Sequence, residues 1–175
     1  MDCTTLIDVA KGCDNNMGGI VRVLINDSAN IASKTTDTVT WEVQTIVKTA
    51  VYVEFKFGRN VGNYTEERQN SPENGSYYYQ QNIMLKLFKR EGSKSKAINI
   101  AGEGQRDLDI IVEDANGIFW NFERAQLMTD TGGSGTAKAD GSNYEITFTS
   151  ESEHKAYVVD PTIIAGLLVM PPPGP

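Results

Sequence analysis

Hydrophobic and polar positions alternate with period two along much of the chain, the pattern of strands that bury one face. The longest run is Ile46–Phe57: Val47, Val51, Val53, Phe55 and Phe57 fall on one side, and Lys48, Tyr52, Glu54 and Lys56 on the other. It predicts a single long strand. A second long strand is predicted over Tyr77–Arg90, where Ile83, Leu85 and Leu87 alternate with Asn82, Met84 and Lys86. The stretch between them, Gly58–Ser76, is polar, rich in Gly and Asn, contains Pro72 and reads as a long loop.

Shorter strands follow the same rule. Ile20–Asn26 comes after the turn signal Asn15-Asn16-Met17-Gly18-Gly19. Asp109–Asp114 and Ile118–Glu123 flank Ala115-Asn116-Gly117, whose Asn and Gly tolerate the positive φ of a tight hairpin turn. Tyr144–Ser150 places Tyr144, Ile146 and Phe148 on one face, and His154–Val159 closes the series. One helix is predicted over Ser95–Asp107, with Ala97, Ile100, Ala101 and Gly104 on one stripe; its glycines make it dependent on packing. The expectation is a mainly β sandwich or barrel with one short helix. An N-terminal arm would cover residues 1–17, the β domain 18–160 and an apolar, Pro-rich C-terminal arm 161–175.

Composition narrows the function. At 175 residues, 39% hydrophobic and 22% charged, the chain suits one folded domain. A net charge of -7 disfavours gripping nucleic acid, and the densest basic stretch, Lys86–Lys96, reads as a solvated rim. The N-terminus has no basic, apolar export signal, so Cys3 and Cys13 read as reduced thiols, with a disulfide still open. Ile163–Met170 is almost wholly apolar but far shorter than the roughly 20 residues a bilayer span needs. It must pack on its own domain or on a neighbour.

Catalytic and cofactor motifs are weak. Asp130-Thr131-Gly132 is the triplet of aspartic proteases, but that chemistry needs two carboxylates sharing a proton, and one copy would need a dimer. Gly102–Asp107 and Gly132–Gly135 lack the Gly-Lys-Ser/Thr of a phosphate loop. His154 is the only histidine and has no nucleophile elbow to serve. No cofactor and no metal site is expected. Tyr64, Tyr77, Tyr78 and Tyr79 bracket the polar Gly58–Ser76 stretch, where tyrosines suit protein interfaces or sugar stacking.

Two long amphipathic strands around a polar connection, a short helix, an Asn-Gly hairpin, a Gly-rich loop and closing strands together resemble the tail tube (major tail) proteins of bacteriophages. The residues carrying the resemblance are IVEDANGIFWNF (Ile111–Phe122) and TGGSGTAKADGSNYEITFTSESEHKAYVVD (Thr131–Asp160), within a match over Gly18–Asp160. The same fold serves the inner tubes of contractile tails and of type VI secretion. The resemblance implies a structural virion protein, not an enzyme. It would be assembled in the host cytoplasm into hexameric rings that stack into a tube, meet tape-measure, terminator and baseplate proteins, and pass DNA without binding it specifically. No membrane is involved. Its inter-subunit contacts would be sought at Tyr64, Glu66, Glu67, Tyr77, Tyr78 and Tyr79, and at Ile163, Ile164, Leu167 and Leu168 in the C-terminal run. A single-ring tail adaptor and a monomeric glycan-binding sandwich are the alternatives.

Overall fold

The structure is a computed structural model that describes residues 7–12 and 14–170. The cysteines of the sequence reading, Cys3 and Cys13, lie outside the described residues, as do the ends of both terminal arms. The protein is mainly β. Among the described residues, ten strands run in the order β1 (Ile20–Asp27), β2 (Ile31–Asp37), β3 (Glu42–Lys48), β4 (Val53–Phe55), β5 (Gly62–Ser71), β6 (Ser76–Phe88), β7 (Leu108–Asp114), β8 (Phe119–Gly133), β9 (Asn143–Ser152) and β10 (Tyr157–Val159). Helix α1 (Gly92–Gly102) follows β6, and α2 (Pro161–Leu167) follows β10.

β8 belongs to two sheets. Its first half pairs with β7 and β10 in the order β2-β3-β10-β8-β7-β1-β4; its second half pairs with β9, which continues to β6 and β5. The register shifts between Leu108 and Ile110 opposite β8, and Arg124 sits at φ 54°. A bulge of this kind bends a strand enough to carry it from one sheet into the next. The two sheets face each other across the main core: Val23 and Ile25 of β1, Ile110 and Val112 of β7 and Phe122 of β8 meet Ile83, Leu85 and Leu87 of β6 and Ile146 and Phe148 of β9. Ile98 and Ala101 of α1 close one end.

The seven-strand sheet is strongly curled. β3 and β4 lie five strand spacings apart, about 24 Å if the sheet were flat. The few residues from Lys48 to Val53 can span only about 17 Å fully extended. The ends of the sheet must therefore approach one another, and the space inside the curl becomes a second core. Leu24, Val43, Tyr52, Ile111, Phe119 and Val159 line it, and Ile164 and Leu167 of α2 plug it. β1 and β7 are thus buried on both faces, which explains their near-continuous apolar runs.

Four expectations change. Ile46–Phe57 is not one strand. Thr49 donates its N–H to the Asn30 carbonyl at 2.8 Å, and Asn26 Nδ2 donates to the Ala50 carbonyl at 2.9 Å, so the chain turns here. The predicted faces consequently hold only in part: Tyr52 is buried and Val47 and Val53 are exposed, while Phe55 and Phe57 still pack against the main core. Gly58–Ser76 is not a loop but mostly strand β5, paired with β6 along its whole length. Gly62 is required where β5 passes β1, because a Cβ there would sit 2.7 Å from the Ile20 side chain. The C-terminal run begins with a second helix. Asp160 caps it by accepting from Thr162 N at 2.8 Å, and Pro161 supplies the first-turn φ. The predicted first helix begins and ends earlier than expected, and it buries Ile98 and Ala101 rather than Ile100.

Candidate functional site

The β5–β6 hairpin projects beyond its sheet. β9 pairs with β6 only from Tyr79 onward, so among the described residues Gln69–Ser71 and Ser76–Tyr78 extend beyond the sheet with only each other as partners. The Pro72–Gly75 turn closes the tip, with Asn74 N donating to the Ser71 carbonyl at 3.2 Å and Gly75 at φ 63°. Tyr77 is 50% exposed and Tyr78 41%, on opposite faces of the ribbon. The Arg68 guanidinium lies 4.2 Å from the centre of the Tyr77 ring, and Tyr79 meets the same ring edge-on at 6.3 Å. Arg68 Nε also donates to Asn70 Oδ1 at 3.0 Å. A guanidinium stacked on a tyrosine stiffens the tip and presents a flat, amphipathic contact surface.

The other interface candidates divide. Glu67 is exposed beside the tip. Glu66 is engaged within the chain: its Oε2 accepts from Ala156 N at 3.0 Å and from Gln81 Nε2 at 3.3 Å, tying the β9–β10 connection to the hairpin base. Tyr64 packs on Trp120 and Phe122, with ring centres 6.3 and 5.5 Å away. Burial, and after it the charges of Asp114 and Glu66, push its phenol up to about 12. Ile164 and Leu167 are buried in the chain's own second core, Ile163 packs partly against it, and Leu168 is partly exposed at the helix end. Tyr79 is half-buried. The exposed set is therefore Glu67, Tyr77, Tyr78 and Leu168.

The hairpin of β7 and β8 places Trp120 and Phe122 toward the main core. Asp114 organises its turn. Its Oδ1 accepts from Asn116 N at 2.9 Å and Ile118 N at 3.0 Å, and its Oδ2 from Trp120 Nε1 at 3.0 Å. Gly117 takes φ 80° as expected of the Asn-Gly pair.

A buried polar network inside the curl was not foreseen. Lys34 on β2 forms an ion pair with Asp109 on β7, and also reaches Glu123 Oε1 at 2.9 Å and Asn121 Oδ1 at 2.7 Å on β8. Asn121 in turn donates to Asp109. Desolvation raises the Asp109 carboxyl above its ordinary value, against the lowering pull of Lys34 and Asn121. The Tyr52 hydroxyl is buried near Asp109 without a hydrogen bond of ordinary geometry. Burial first, and then the charge of Asp109, hold its pKa well above the usual phenol range. The only sequence signal was a charge at the head of an apolar strand, Asp109 before Ile110-Ile111-Val112.

The candidate catalytic residues stand apart. Asp130-Thr131-Gly132 lies inside β8, exposed, with Asp130 opposite Ile146 of β9. His154 lies in a bend before β10, its Nδ1 2.8 Å from the Lys155 carbonyl, packed against Tyr157 and Trp41. Among the described residues no group of three or more His, Cys, Asp or Glu is placed to hold a metal ion, and no helix is long and apolar enough to cross a membrane. No protein-family model matches the chain, and no curated protein matches it either.

Proposed function

We propose that the chain is a structural subunit that assembles with copies of itself into rings stacked as a phage tail tube. The observation that carries this reading is the set of strand edges left unpaired among the described residues. β2 and β4 end one sheet, and β5 and the far half of β8 end the other. Unpaired edges are templates for another chain, and a ring of subunits joined edge to edge satisfies them. The tip of the β5–β6 hairpin, with Tyr77, Tyr78 and the stacked Arg68, supplies the residue types that anchor protein interfaces. The net charge of -7 suits a conduit that DNA passes without sticking.

Negative-stain electron microscopy of the purified chain, paired with light scattering, tests the proposal. Rings or stacked tubes with a central hole are expected, and Tyr77→Ser with Tyr78→Ser is expected to abolish stacking while leaving the fold intact. A chain that stays monomeric at high concentration and gives no rings would refute self-assembly. A single ring that never stacks would favour the adaptor alternative.

A further inference from the structure

We infer that a groove between β4 and α1 is a docking site for the N-terminal segment Ile7–Ala10 of a second copy of the chain. The groove has a volume of about 670 Å³ and opens where the curled sheet ends. Its floor includes the buried residues Ile25, Ile98 and Leu108. Exposed Val53 of β4 stands on one wall and exposed Ile100 of α1 on the other. Among the described residues β4 is paired on one side only, to β1, which leaves its outer edge for an added strand.

The chain carries a segment of the matching chemistry. Ile7-Asp8-Val9-Ala10 alternates apolar and charged residues over its first three positions. Ile7 is 86% exposed and Val9 92%, in a stretch with no helix or strand pairing. A strand laid against β4 sends alternate side chains to one face, so Ile7 and Val9 would enter the groove together while Asp8 points to solvent. The rim carries Lys56, Lys94 and Arg106, each already paired with a carboxylate of its own chain (Glu54, Glu91 and Asp27), so recognition rests on the apolar walls and the open edge of β4 rather than on charge. Within one chain the segment does not take this groove. It leads into Met17, whose N–H donates to Asn116 Oδ1 at 2.9 Å beside the turn between β7 and β8. That turn meets the start of β1, whereas the groove lies at the far end of β1, around Ile25–Asp27. Each copy thus offers one segment and one groove on different parts of its surface. Such a contact is head-to-tail and can close a ring or run on as a filament. The inference rests on the homo-oligomeric part of the reading above, not on the tube.

The test uses a fluorescent peptide of residues Thr4–Gly12 and the full chain carrying Ile7→Asp and Val9→Asp, so that its own segment does not compete. Saturable binding is expected, and Ile100→Glu or Val53→Glu in the groove should weaken it about tenfold or more. Both groove positions are exposed, so these variants should melt like the parent. No saturable binding, or binding indifferent to both groove substitutions, would overturn the inference. Light scattering supplies a second measurement. The segment-defective and groove-defective chains should each lose mass relative to the unsubstituted chain, and mixing them should restore a one-to-one pair. An unsubstituted chain that is monomeric, with its segment protected from hydrogen exchange, would mean that the groove takes its own segment, against the inference. If Ile7→Asp with Val9→Asp still forms rings of full mass, this inference fails while the tube reading stands. If the peptide binds and the mixed pair forms but no rings appear, the inference stands and the tube reading fails.

Discussion

Replacing Lys34 with Met tests the account of the buried network most directly. The substitution keeps most of the apolar stem and removes the charge. Asp109, 2% exposed, then keeps the Asn121 amide as a partner but loses its cation, and Glu123 loses its contact at 2.9 Å. Breaking a buried pair by removing one member costs about 3–5 kcal/mol, because the remaining charge stays desolvated. That is a large part of the roughly 5–15 kcal/mol that holds a domain together. In urea, with a slope of about 2–3 kcal/mol per molar, it should lower the midpoint by roughly 1–2 M. The cost must also depend on pH. The Asp109 carboxyl is already raised in the folded chain, and Lys34 is the main group holding it down. Without Lys34 it rises further, so the folded variant binds a proton that the unfolded chain releases. A group raised on folding favours the folded state at low pH and loses that contribution as pH rises through its folded value. The destabilisation should therefore be largest near neutral pH and shrink toward pH 5. A midpoint unchanged at pH 7, or a loss equal at both pH values, would refute the reasoning. Adding Asp109→Leu to Lys34→Met should recover much of the loss.

Tyr52→Phe should change stability by less than about 1 kcal/mol in the same titration, because it removes a buried hydroxyl that makes no ordinary hydrogen bond. Asp114→Ala should cost about 2–4 kcal/mol, since two backbone donors and the Trp120 indole lose their acceptor; a Trp fluorescence melt reads it directly. The Asp160 carboxyl is held below its ordinary value, chiefly by the Thr162 N–H it accepts from. Its contribution to α2 is present above the usual carboxylate range and is lost as pH falls through the lowered value. The difference in helix signal between the parent chain and Asp160→Ala should therefore be visible at neutral pH and vanish in acid.

How much was legible in the sequence depends on how local the deciding forces are. β6, β7 and β9 were readable because each alternates against a single core, as with Ile83, Leu85 and Leu87, or carries a continuous apolar run. The Asp114–Gly117 turn was readable because positive φ at Gly117 is a property of the residue. The cap and Pro of α2 were equally local, yet the reading of 161–175 as an arm missed the helix that Asp160-Pro161 starts. β5 was not readable, since its ten residues are polar and become a strand only because β6 supplies the hydrogen bonds. The break at Thr49–Tyr52 was hidden too. The alternation on either side, interrupted only at Thr49 and Ala50, ran across it, and it is the bonds from Thr49 to Asn30 and from Asn26 to Ala50 that hold the turn.

The sequence by itself determined the mainly β class, the hydrophobic positions of the main core and the tight turn of the β7–β8 hairpin, because periodicity and turn chemistry act over a few residues. Tertiary structure decided which tyrosines are available. Tyr64 and Tyr52 are drawn into the interior and Tyr77 and Tyr78 left outside, by a curl that brings together strands far apart in sequence. It also decided that Lys34 finds Asp109, and that the groove beside β4 lies open. Contacts of that kind depend on how sheets bend and close, which no window of neighbouring residues encodes.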